Sequence, residues 1–272
     1  MHFRARLSPT YIQWMADYPL PHASTDLTGR VALVTGATSG LGWRFAQVLA
    51  ASGATVVATG RREERLAELE AVITEQGGVA HACRVDMTET DSILAAVDHA
   101  ESVAGTVDIL INNAGIPDAQ RAHKMEIELI DRVFDTNLRG PYVLSCEVAR
   151  RLIAADMPGR MVNISSIGAF RYEGQGAALY SITKAGIARM SEVLAVEWAR
   201  YNINVNAIAP GAFSSEMMDG MIERMGDITQ RMPRRRIGDP AQLDSTLLYL
   251  CGPASDAVTG TVIKVDDGQG SR

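Results

Sequence analysis

From Arg30 onward, short apolar runs alternate with segments of helical length. The runs that predict strands are 31–35, 54–59, 79–85, 107–111, 160–164, 204–208 and 260–265, and the predicted helices are 41–52, 63–76, 89–104, 125–155 and 178–201. Continuous apolar strands separated by helices are typical of a parallel sheet covered on both faces. Because crossovers between parallel strands are right-handed, the pattern predicts a doubly wound α/β sheet of about seven strands in three layers. We expect a break in the longest helix near Gly140 and Pro141.

The chain shows no internal repeat and no linker, and its 272 residues suit one domain. We therefore predict a single domain over residues 28–272, preceded by an arm over residues 1–27. The arm contains several prolines and aromatic residues, and it lacks the apolar core of a secretory signal. It would either lie on the domain or on a partner subunit, or form a floppy leader.

Composition and charge argue against several classes of function. With 26 lysine and arginine residues against 32 aspartate and glutamate residues, the formal net charge is −6. This acidic balance argues against nucleic acid or an anionic membrane as the partner, and no apolar run has the length of a transmembrane helix. The three cysteines, Cys83, Cys146 and Cys251, are too few for a disulfide framework or a zinc site. We therefore expect a cytoplasmic protein without a bound metal.

A glycine-rich turn joins the first predicted strand to the first predicted helix. Between Thr35 and Gly42 its glycines are spaced G-x-x-x-G-x-G. Gly36 permits a tight turn, Gly40 lets the backbone approach a pyrophosphate, and Gly42 allows close helix packing. The N-terminus of the helix then presents free N–H groups to phosphates. This strand-turn-helix context favours a dinucleotide site over a turn that binds nothing.

The end of the second predicted strand bears on which dinucleotide binds. Sites for NAD usually carry an acidic residue here, but this chain has Gly60 followed by Arg61 and Arg62. Because an arginine can pair with a 2′-phosphate, we predict NADP, with NAD as the alternative. The two arginines could instead begin a solvated helix. Asp86, after the third strand, would either accept a hydrogen bond from the adenine amino group or cap the next helix.

Tyr180 and Lys184 lie four residues apart near the start of a predicted helix, so they share one face. A free tyrosine has a pKa of about 10, and a neighbouring ammonium favours the phenolate and lowers that pKa. Such a tyrosine can exchange a proton with a substrate at working pH. Taken alone the pair is a weak pattern, because an interior tyrosine beside a snorkelling lysine has the same spacing.

Other motifs accompany this pair, and together they resemble the short-chain dehydrogenase/reductase family. The motifs are T-G-x-x-x-G-x-G at 35–42, N-N-A-G at 112–115, Asn137, the serines Ser165 and Ser166 after the fifth strand, Y-x-x-x-K at 180–184, and Pro210-Gly211 after the sixth strand. The resemblance extends from residue 28 to the C-terminus. It implies hydride transfer between a nicotinamide cofactor and a secondary alcohol or ketone. The four-residue gap from Tyr180 to Lys184 differs from the longer gap of the family's enoyl-reductase branch.

The resemblance also implies a role for each catalytic residue. Tyr180 would be the general acid/base, and Ser166, preferred over Ser165, would bind the substrate oxygen. Lys184 would bind the nicotinamide ribose and lower the pKa of Tyr180, and Asn137 would hold a water that links Lys184 to solvent. The further cofactor contacts would come from Gly36, Thr38, Ser39, Gly40, Leu41, Gly42, Arg61, Arg62, Asp86, Met87, Asn113, Ala114, Gly115, Pro210 and Gly211.

The substrate and the assembly are less constrained. The family places a mobile lid at about 212–237, where several methionines suit an adaptable apolar pocket, although a helix packed on the body would show the same pattern. Arg234 and Arg235 could attract an anionic group or belong to a solvated loop. A 3-oxoacyl thioester reductase and a sugar or polyol dehydrogenase remain equally open. An NAD-dependent alcohol dehydrogenase and a non-catalytic nucleotide sensor are the alternatives. Family members usually form homotetramers.

Overall fold

The computed structural model describes residues 23–172, 174 and 176–270, so most of the predicted arm, residues 1–22, lies outside the described residues. Within that range one sheet of seven parallel strands has the order β3-β2-β1-β4-β5-β6-β7. The strands are β1 (Val31–Thr35), β2 (Thr55–Gly60), β3 (Val79–Arg84), β4 (Ile109–Asn112), β5 (Gly159–Ile164), β6 (Ile203–Pro210) and β7 (Val262–Val265). The predicted α/β fold with a parallel sheet is confirmed.

Helices cover both faces of this sheet. They are α1 (Gly40–Ala51), α2 (Glu63–Glu75), α3 (Thr90–Ala104), α4 (Ile127–Phe134), α5 (Gly140–Ala154), α6 (Ala178–Trp198), α7 (Glu216–Met225) and α8 (Asp244–Cys251). Among the described residues, no helix combines the length and the apolar character needed to cross a membrane.

The central strands are largely apolar because each face of the sheet is packed against helices, whereas the edge strands β3 and β7 are only partly buried. All five residues of β1 are buried. Successive side chains of a strand point to opposite faces, so Ala32 and Val34 join a core with Phe45 of α1, and Leu33 joins a second core with Leu144 of α5. This two-sided burial explains why the strands read as continuous apolar runs in the sequence.

The chain changes direction across the sheet between β3 and β4. Val34 of β1 lies opposite Ala58 of β2 on one side and Ile111 of β4 on the other. In open α/β sheets, ligands bind beyond the carboxyl ends of the strands at such a reversal. The fold therefore places the ends of β1 and β4 where a site is expected.

One predicted feature of the helices is wrong. The predicted helix over 125–155 does not break at Gly140 and Pro141; it runs from α4 through a π-helical turn at Asp135–Arg139 into α5. Pro141 lies in the first turn of α5, where a missing N–H costs little. The irregularity comes earlier, in the wider π turn, a form that occurs often at functional positions.

Candidate active site

A cavity of about 780 Å³ opens at the carboxyl ends of the strands. Its wall is built by the segments that follow β1 to β6 and by α7. Two of the residues named from the sequence, Gly42 and Asn137, are buried outside this wall. The others form part of it: Gly36, Thr38, Ser39, Gly40, Leu41, Arg61, Arg62, Asp86, Met87, Asn113, Ala114, Gly115, Ser166, Tyr180, Lys184, Pro210 and Gly211.

The glycine-rich turn leaves no room for side chains at its three glycines. Gly36 has a φ of +67° and Gly40 a φ of +54°, a region that residues with a Cβ rarely adopt. A Cβ on Gly36 would lie 2.8 Å from the Cα of Ala114, and a Cβ on Gly42 would overlap the carbonyl oxygen of Gly36. The first N–H groups of α1 have no partners within the helix. The bare backbone of this turn is therefore suited to hold a pyrophosphate.

The end of β4 is tied to the glycine-rich turn and to the next strand. The side-chain amide of Asn113 donates to the carbonyl oxygens of Thr35 (2.9 Å) and Gly36 (3.2 Å). The amide of Asn112 donates to the side-chain oxygen of Asn163 in β5 (2.8 Å). These bonds hold the turn and the two strand ends in one arrangement beneath the cavity.

The two arginines after β2 both reach the cavity wall, and Arg62 is already bound there. Its Nε and Nη2 donate to the hydroxyl of Thr38 at 3.2 and 3.0 Å. Its Nη1 and Nη2 also donate to the two carboxylate oxygens of Glu216, both at 3.1 Å. Glu216 is the first residue of α7, so this pair joins the end of β2 to a distant segment of the chain.

Asp86 has a local partner. Its Oδ1 accepts the N–H of Thr88 (3.0 Å) and the Thr88 hydroxyl (2.9 Å) just before α3. Burial disfavours the charged carboxylate, but the bonds from Thr88, together with the charges of Arg61 and Arg84, prevail and lower the pKa of Asp86. Asp86 is therefore an anion at neutral pH at the edge of the cavity. It does not cap α3, because its bonds go to Thr88, before the helix, and its predicted contact with the adenine stays a prediction.

Tyr180, Ser166 and Lys184 meet at the centre of the cavity. Tyr180, in the first turn of α6, lies beside Ser166, which follows β5: a Cβ on Gly168 would lie 3.3 Å from the Oγ of Ser166 and 3.9 Å from the Cε1 of Tyr180. Lys184 lies one turn further along α6 and is only 4% exposed. Its Nζ lies 5.6 Å from the centre of the Tyr180 ring and donates to the carbonyl oxygen of Ile164 (2.8 Å).

The two adjacent serines have different surroundings. Ser165 is buried, and its hydroxyl donates to the carbonyl oxygen of Lys184 (2.8 Å). The Ser166 oxygen accepts the N–H of Gly168 (3.0 Å) and lies at the cavity beside Tyr180. This contact with Tyr180 supports the sequence-based preference for Ser166.

The pKa of Tyr180 is raised in this structure, and its lowering by Lys184 stays a prediction. Burial raises the pKa of the phenol; the hydrogen bond from Ser166 opposes this rise, and the charge of Asp118 adds to it. Burial also lowers the pKa of Lys184 itself to about 8. The sequence reveals the charge of a neighbouring lysine, but it does not reveal how strongly both groups are removed from water.

Asn137 is buried in the π-helical turn and is bound on both sides of its amide. Its Nδ2 donates to the carbonyl oxygen of Ile116 (2.9 Å), and its Oδ1 accepts the N–H of the same residue (2.8 Å). A Cβ on Gly115 would lie 3.3 Å from the Nζ of Lys184 and 3.6 Å from the Oδ1 of Asn137. The π turn therefore brings Asn137 close to Lys184, and its predicted role in holding a water stays a prediction.

Asp118 is a buried residue of the site that the sequence interpretation missed. Its Oδ2 accepts the N–H groups of Leu179 (2.8 Å) and Tyr180 (3.2 Å), and its Oδ1 accepts the N–H of Ala119 (2.9 Å). It thus caps the N-terminus of α6 from the loop after β4. An acid directly after N-N-A-G-I-P is visible in the sequence, but its partners lie some sixty residues away.

The far side of the cavity is formed by α7 and the segment after it. The residues from this region that reach the wall are Glu216, Met217, Met218, Met221, Arg224, Ile228, Arg231, Met232 and Pro233. Arg234 and Arg236 are not part of the wall; both pair with Asp267, at 3.4 and 2.7 Å. The charge of Arg234 is thus paired within the protein, by Asp267, and this pairing needs no anionic substrate.

Comparisons with known proteins agree with this geometry. Residues 36–269 match the family described as "Enoyl-(Acyl carrier protein) reductase". A 2-dehydro-3-deoxy-D-gluconate 5-dehydrogenase of Formosa agariphila is 34% identical over 250 residues, covering 89% of this chain and 93% of the relative. The 3-oxoacyl-(acyl-carrier-protein) reductase FabG of Aquifex aeolicus is 34% identical over 244 residues, covering 89% of this chain and 98% of the relative.

Solved structures with the same architecture include proteins crystallised with a nicotinamide cofactor. A gluconate 5-dehydrogenase of Burkholderia cenocepacia, in complex with NADP and tartrate, has a TM-score of 0.84 and 32% identity, covering 90% of this chain and 96% of its own. An actinorhodin polyketide ketoreductase with NADPH has a TM-score of 0.86 and 33% identity, covering 89% and 98%.

Proposed function

The chain belongs to the short-chain dehydrogenase/reductase family of oxidoreductases, and we propose that it transfers hydride between NADP(H) and a secondary alcohol or ketone. The observation that carries this proposal is the meeting of Ser166, Tyr180 and Lys184 in the cavity that also contains the glycine-rich turn. The NADP-bound structural relatives support the choice of cofactor.

The residues around the turn fit a dinucleotide. The turn presents bare backbone at Gly36 and Gly40, Asp86 would bind the adenine, and Asn113 to Gly115 would line the ribose. Arg61 and Arg62 would bind the 2′-phosphate. Once bound, the nicotinamide supplies or accepts the hydride.

The protein's own residues position the substrate and move the proton. The Ser166 hydroxyl binds the substrate oxygen and stabilises the charge that develops there. The Tyr180 phenol donates its proton to this oxygen during reduction and takes it back during oxidation. Lys184 has three N–H groups and uses one on Ile164, which leaves two donors for the nicotinamide ribose. Asn137 and Asp118 hold the loop after β4 against the start of α6.

The test is turnover by Tyr180→Phe. The variant should bind NADPH as tightly as the wild type, because the phenol oxygen is not part of the phosphate site, and it should lose nearly all ketone reduction. Retained turnover would contradict the proposed proton transfer. A wild type that binds NADPH but reduces none of the ketones tried would instead favour the non-catalytic alternative.

Two substrate groups should be screened first. The curated relatives include both a sugar-acid dehydrogenase and an oxoacyl thioester reductase, so sugar ketoacids and 3-oxoacyl thioesters are equally supported. An enoyl thioester is the matched control, because the four-residue gap between Tyr180 and Lys184 favours carbonyl chemistry over double-bond reduction. NAD(H) should be tested beside NADP(H) with each substrate.

The rest of the chain supports three coarser proposals. Residues 212–237 act as a substrate lid, because α7 lines the cavity on the side away from the sheet. The protein forms a homotetramer through α5 and α6, which expose apolar side chains such as Tyr142, Ile182 and Val196. It works in the cytoplasm, where the free thiols of its cysteines would stay reduced. Light scattering would give the mass of the assembly.

A further inference from the structure

Glu216 brings a negative charge to the place where the proposed cofactor would bring its own. Both oxygens of this carboxylate accept hydrogen bonds from the guanidinium of Arg62, in a bidentate pair. The same guanidinium is held from the other side by the hydroxyl of Thr38. Arg62 and Thr38 both line the cavity beside the glycine-rich turn. The pocket that would take the 2′-phosphate therefore already has an anion bound to it.

The contact extends to the glycine-rich turn itself. The bonds from Arg62 do most to hold the pKa of Glu216 below its usual range, and the side chain of Ser39 in the turn adds to this effect. A Cβ on Gly40 would lie 3.1 Å from the Cβ of Ser215, the residue that caps α7. The start of α7 thus rests directly on the turn, and Glu216 is ionised at neutral pH.

We propose that Glu216 is a specificity-determining residue, which competes with the 2′-phosphate of NADP(H) for Arg62 and so favours NAD(H). The inference rests on the proposed cofactor site. One guanidinium fork cannot bind a carboxylate and a phosphate in the same bidentate way, and the two anions repel each other. NAD(H) has a hydroxyl at this position, so it leaves the pair of Glu216 and Arg62 intact.

The same competition links the cofactor to the substrate side of the cavity. When the 2′-phosphate takes Arg62, Glu216 loses its main partner and α7 loses a contact with the turn. Met217, Met218 and Met221 of the same helix line the cavity. NADP(H) should therefore leave α7 less tightly held than NAD(H) does. This difference follows from the charges alone and needs no other change in the fold.

The test is a pair of binding titrations on the full chain, following the fluorescence of NADPH and NADH. Glu216→Gln removes the competing charge while keeping the shape of the side chain. Because exposed ion pairs are weak, the variant should tighten NADPH by about two- to fivefold relative to NADH. Calorimetry with adenosine 2′,5′-bisphosphate against AMP should show the same change, since these fragments differ only in the 2′-phosphate.

Glu63→Gln is the matched control. Glu63 begins α2, one residue after Arg62, and it pairs with Arg84 (3.5 Å) outside the cavity wall. The Glu63→Gln substitution also removes one negative charge close to Arg62. It should leave the preference between NADPH and NADH unchanged. An equal change in both variants would overturn the proposal, because it would show a general field effect. An unchanged ratio in Glu216→Gln would also overturn it.

The outcome is separable from that of the proposed function. If the wild type bound only NADH, measurable NADPH binding by Glu216→Gln would support the competition, and its absence would overturn it. Turnover and its loss in Tyr180→Phe test the oxidoreductase activity independently, because neither result depends on which cofactor is preferred.

Discussion

Asp118 accepts the backbone N–H of Tyr180 at 3.2 Å, so the residue proposed to move the proton is held through its main chain by a buried carboxylate. The bond from Leu179 to the same oxygen makes this a cap of the α6 N-terminus. A negative charge is favoured there by the helix dipole. The carboxylate therefore has a positional effect and an electrostatic effect on Tyr180, and substitution can separate them.

Asp118→Asn should separate the two effects, because it keeps an acceptor oxygen and removes the charge. Asp118 raises the pKa of Tyr180 and Ser166 lowers it, while the Nζ of Lys184 lies 5.6 Å from the centre of the ring. The pKa of Tyr180 should fall in the variant, so the rise of alcohol oxidation with pH should move to lower pH. A pH profile of kcat measures this. Asp118→Ala should instead lose about 1–3 kcal/mol of stability in urea unfolding, because buried N–H groups lose their acceptor. An unchanged profile in Asp118→Asn would mean that the charge has no effect on the phenol.

We expect Ser166 to contribute to catalysis and the neighbouring Ser165 to contribute to stability. Ser166→Ala should lower kcat by about 100- to 1000-fold with little change in stability, because it removes a donor to the developing oxyanion. Ser165→Ala should lower stability by about 1 kcal/mol and leave kcat largely intact, because its hydroxyl binds only the Lys184 carbonyl oxygen. Steady-state kinetics beside thermal unfolding would check both, and a larger kinetic loss in Ser165→Ala would reverse the assignment.

Lys184 should make the fold less stable at neutral pH than a neutral side chain would. Its pKa in the folded chain is lowered from 10.5 to about 8, so the buried ammonium disfavours folding at every pH below about 8. The penalty fades as pH rises towards 10.5, where the unfolded amine also becomes neutral. Lys184→Met should therefore raise the free energy of unfolding at pH 7. The increase should be at most roughly 3 kcal/mol, reduced by the contribution of the hydrogen bond to Ile164 that the variant loses. The variant should also have no turnover.

Urea unfolding at pH 7 and at pH 10 gives the corresponding control. The stability difference between Lys184→Met and the wild type should shrink at the higher pH. A variant that is less stable than the wild type at pH 7 would show that the bond to Ile164 outweighs the burial of the charge.

A switch of cofactor preference needs two changes besides Arg61, one at Gly60 at the end of β2 and one at Thr38 in the glycine-rich turn. An aspartate at Gly60 would bind the adenosine ribose of NAD, but a Cβ there would lie 2.6 Å from the Cγ2 of Thr38. Thr38→Ser removes that methyl group and keeps the hydroxyl that binds Arg62. Thr38→Ser with Gly60→Asp and Arg61→Ala should shift binding from NADPH to NADH by about ten- to a hundredfold, as expected for lost charge-assisted bonds. Thr38→Ser alone is the control and should leave the preference unchanged.

Local pattern predicted the elements well because burial on both faces leaves a continuous apolar signal. It misplaced the start of β4, predicted at Val107. The strand begins at Ile109, although the backbone of Asp108 already donates to the carbonyl oxygen of Val31 (3.1 Å) and accepts the N–H of Arg160 (2.8 Å). The π-helical turn at Asp135–Arg139 escaped notice because one wider turn hardly alters a helical period. The spacing of apolar residues along a helix shows which face is buried, but it does not show an irregular turn of the backbone.

The parts of the site that could be predicted are those whose residues lie close together in the sequence. Tyr180 and Lys184 share a helix face, and the glycine-rich turn is a single run of sequence. The pairs Asp118 with Tyr180 and Arg62 with Glu216 were not predictable, because their members are brought together only by the fold. The burial that raises the pKa of Tyr180 was not predictable for a similar reason, since burial depends on how all the elements pack together.

The order of the strands also bears on how the chain can fold. β1 has β2 on one side and β4 on the other, and α2, β3 and α3 lie between these partners in the sequence. During synthesis the sheet of β3, β2 and β1 therefore keeps an open edge at β1 until β4 emerges and closes it. Until then the backbone groups of an apolar strand are free to pair with another chain. A fragment that ends before β4 should aggregate, whereas one that extends through Asn113 gains both the missing strand and the bonds that hold the glycine-rich turn.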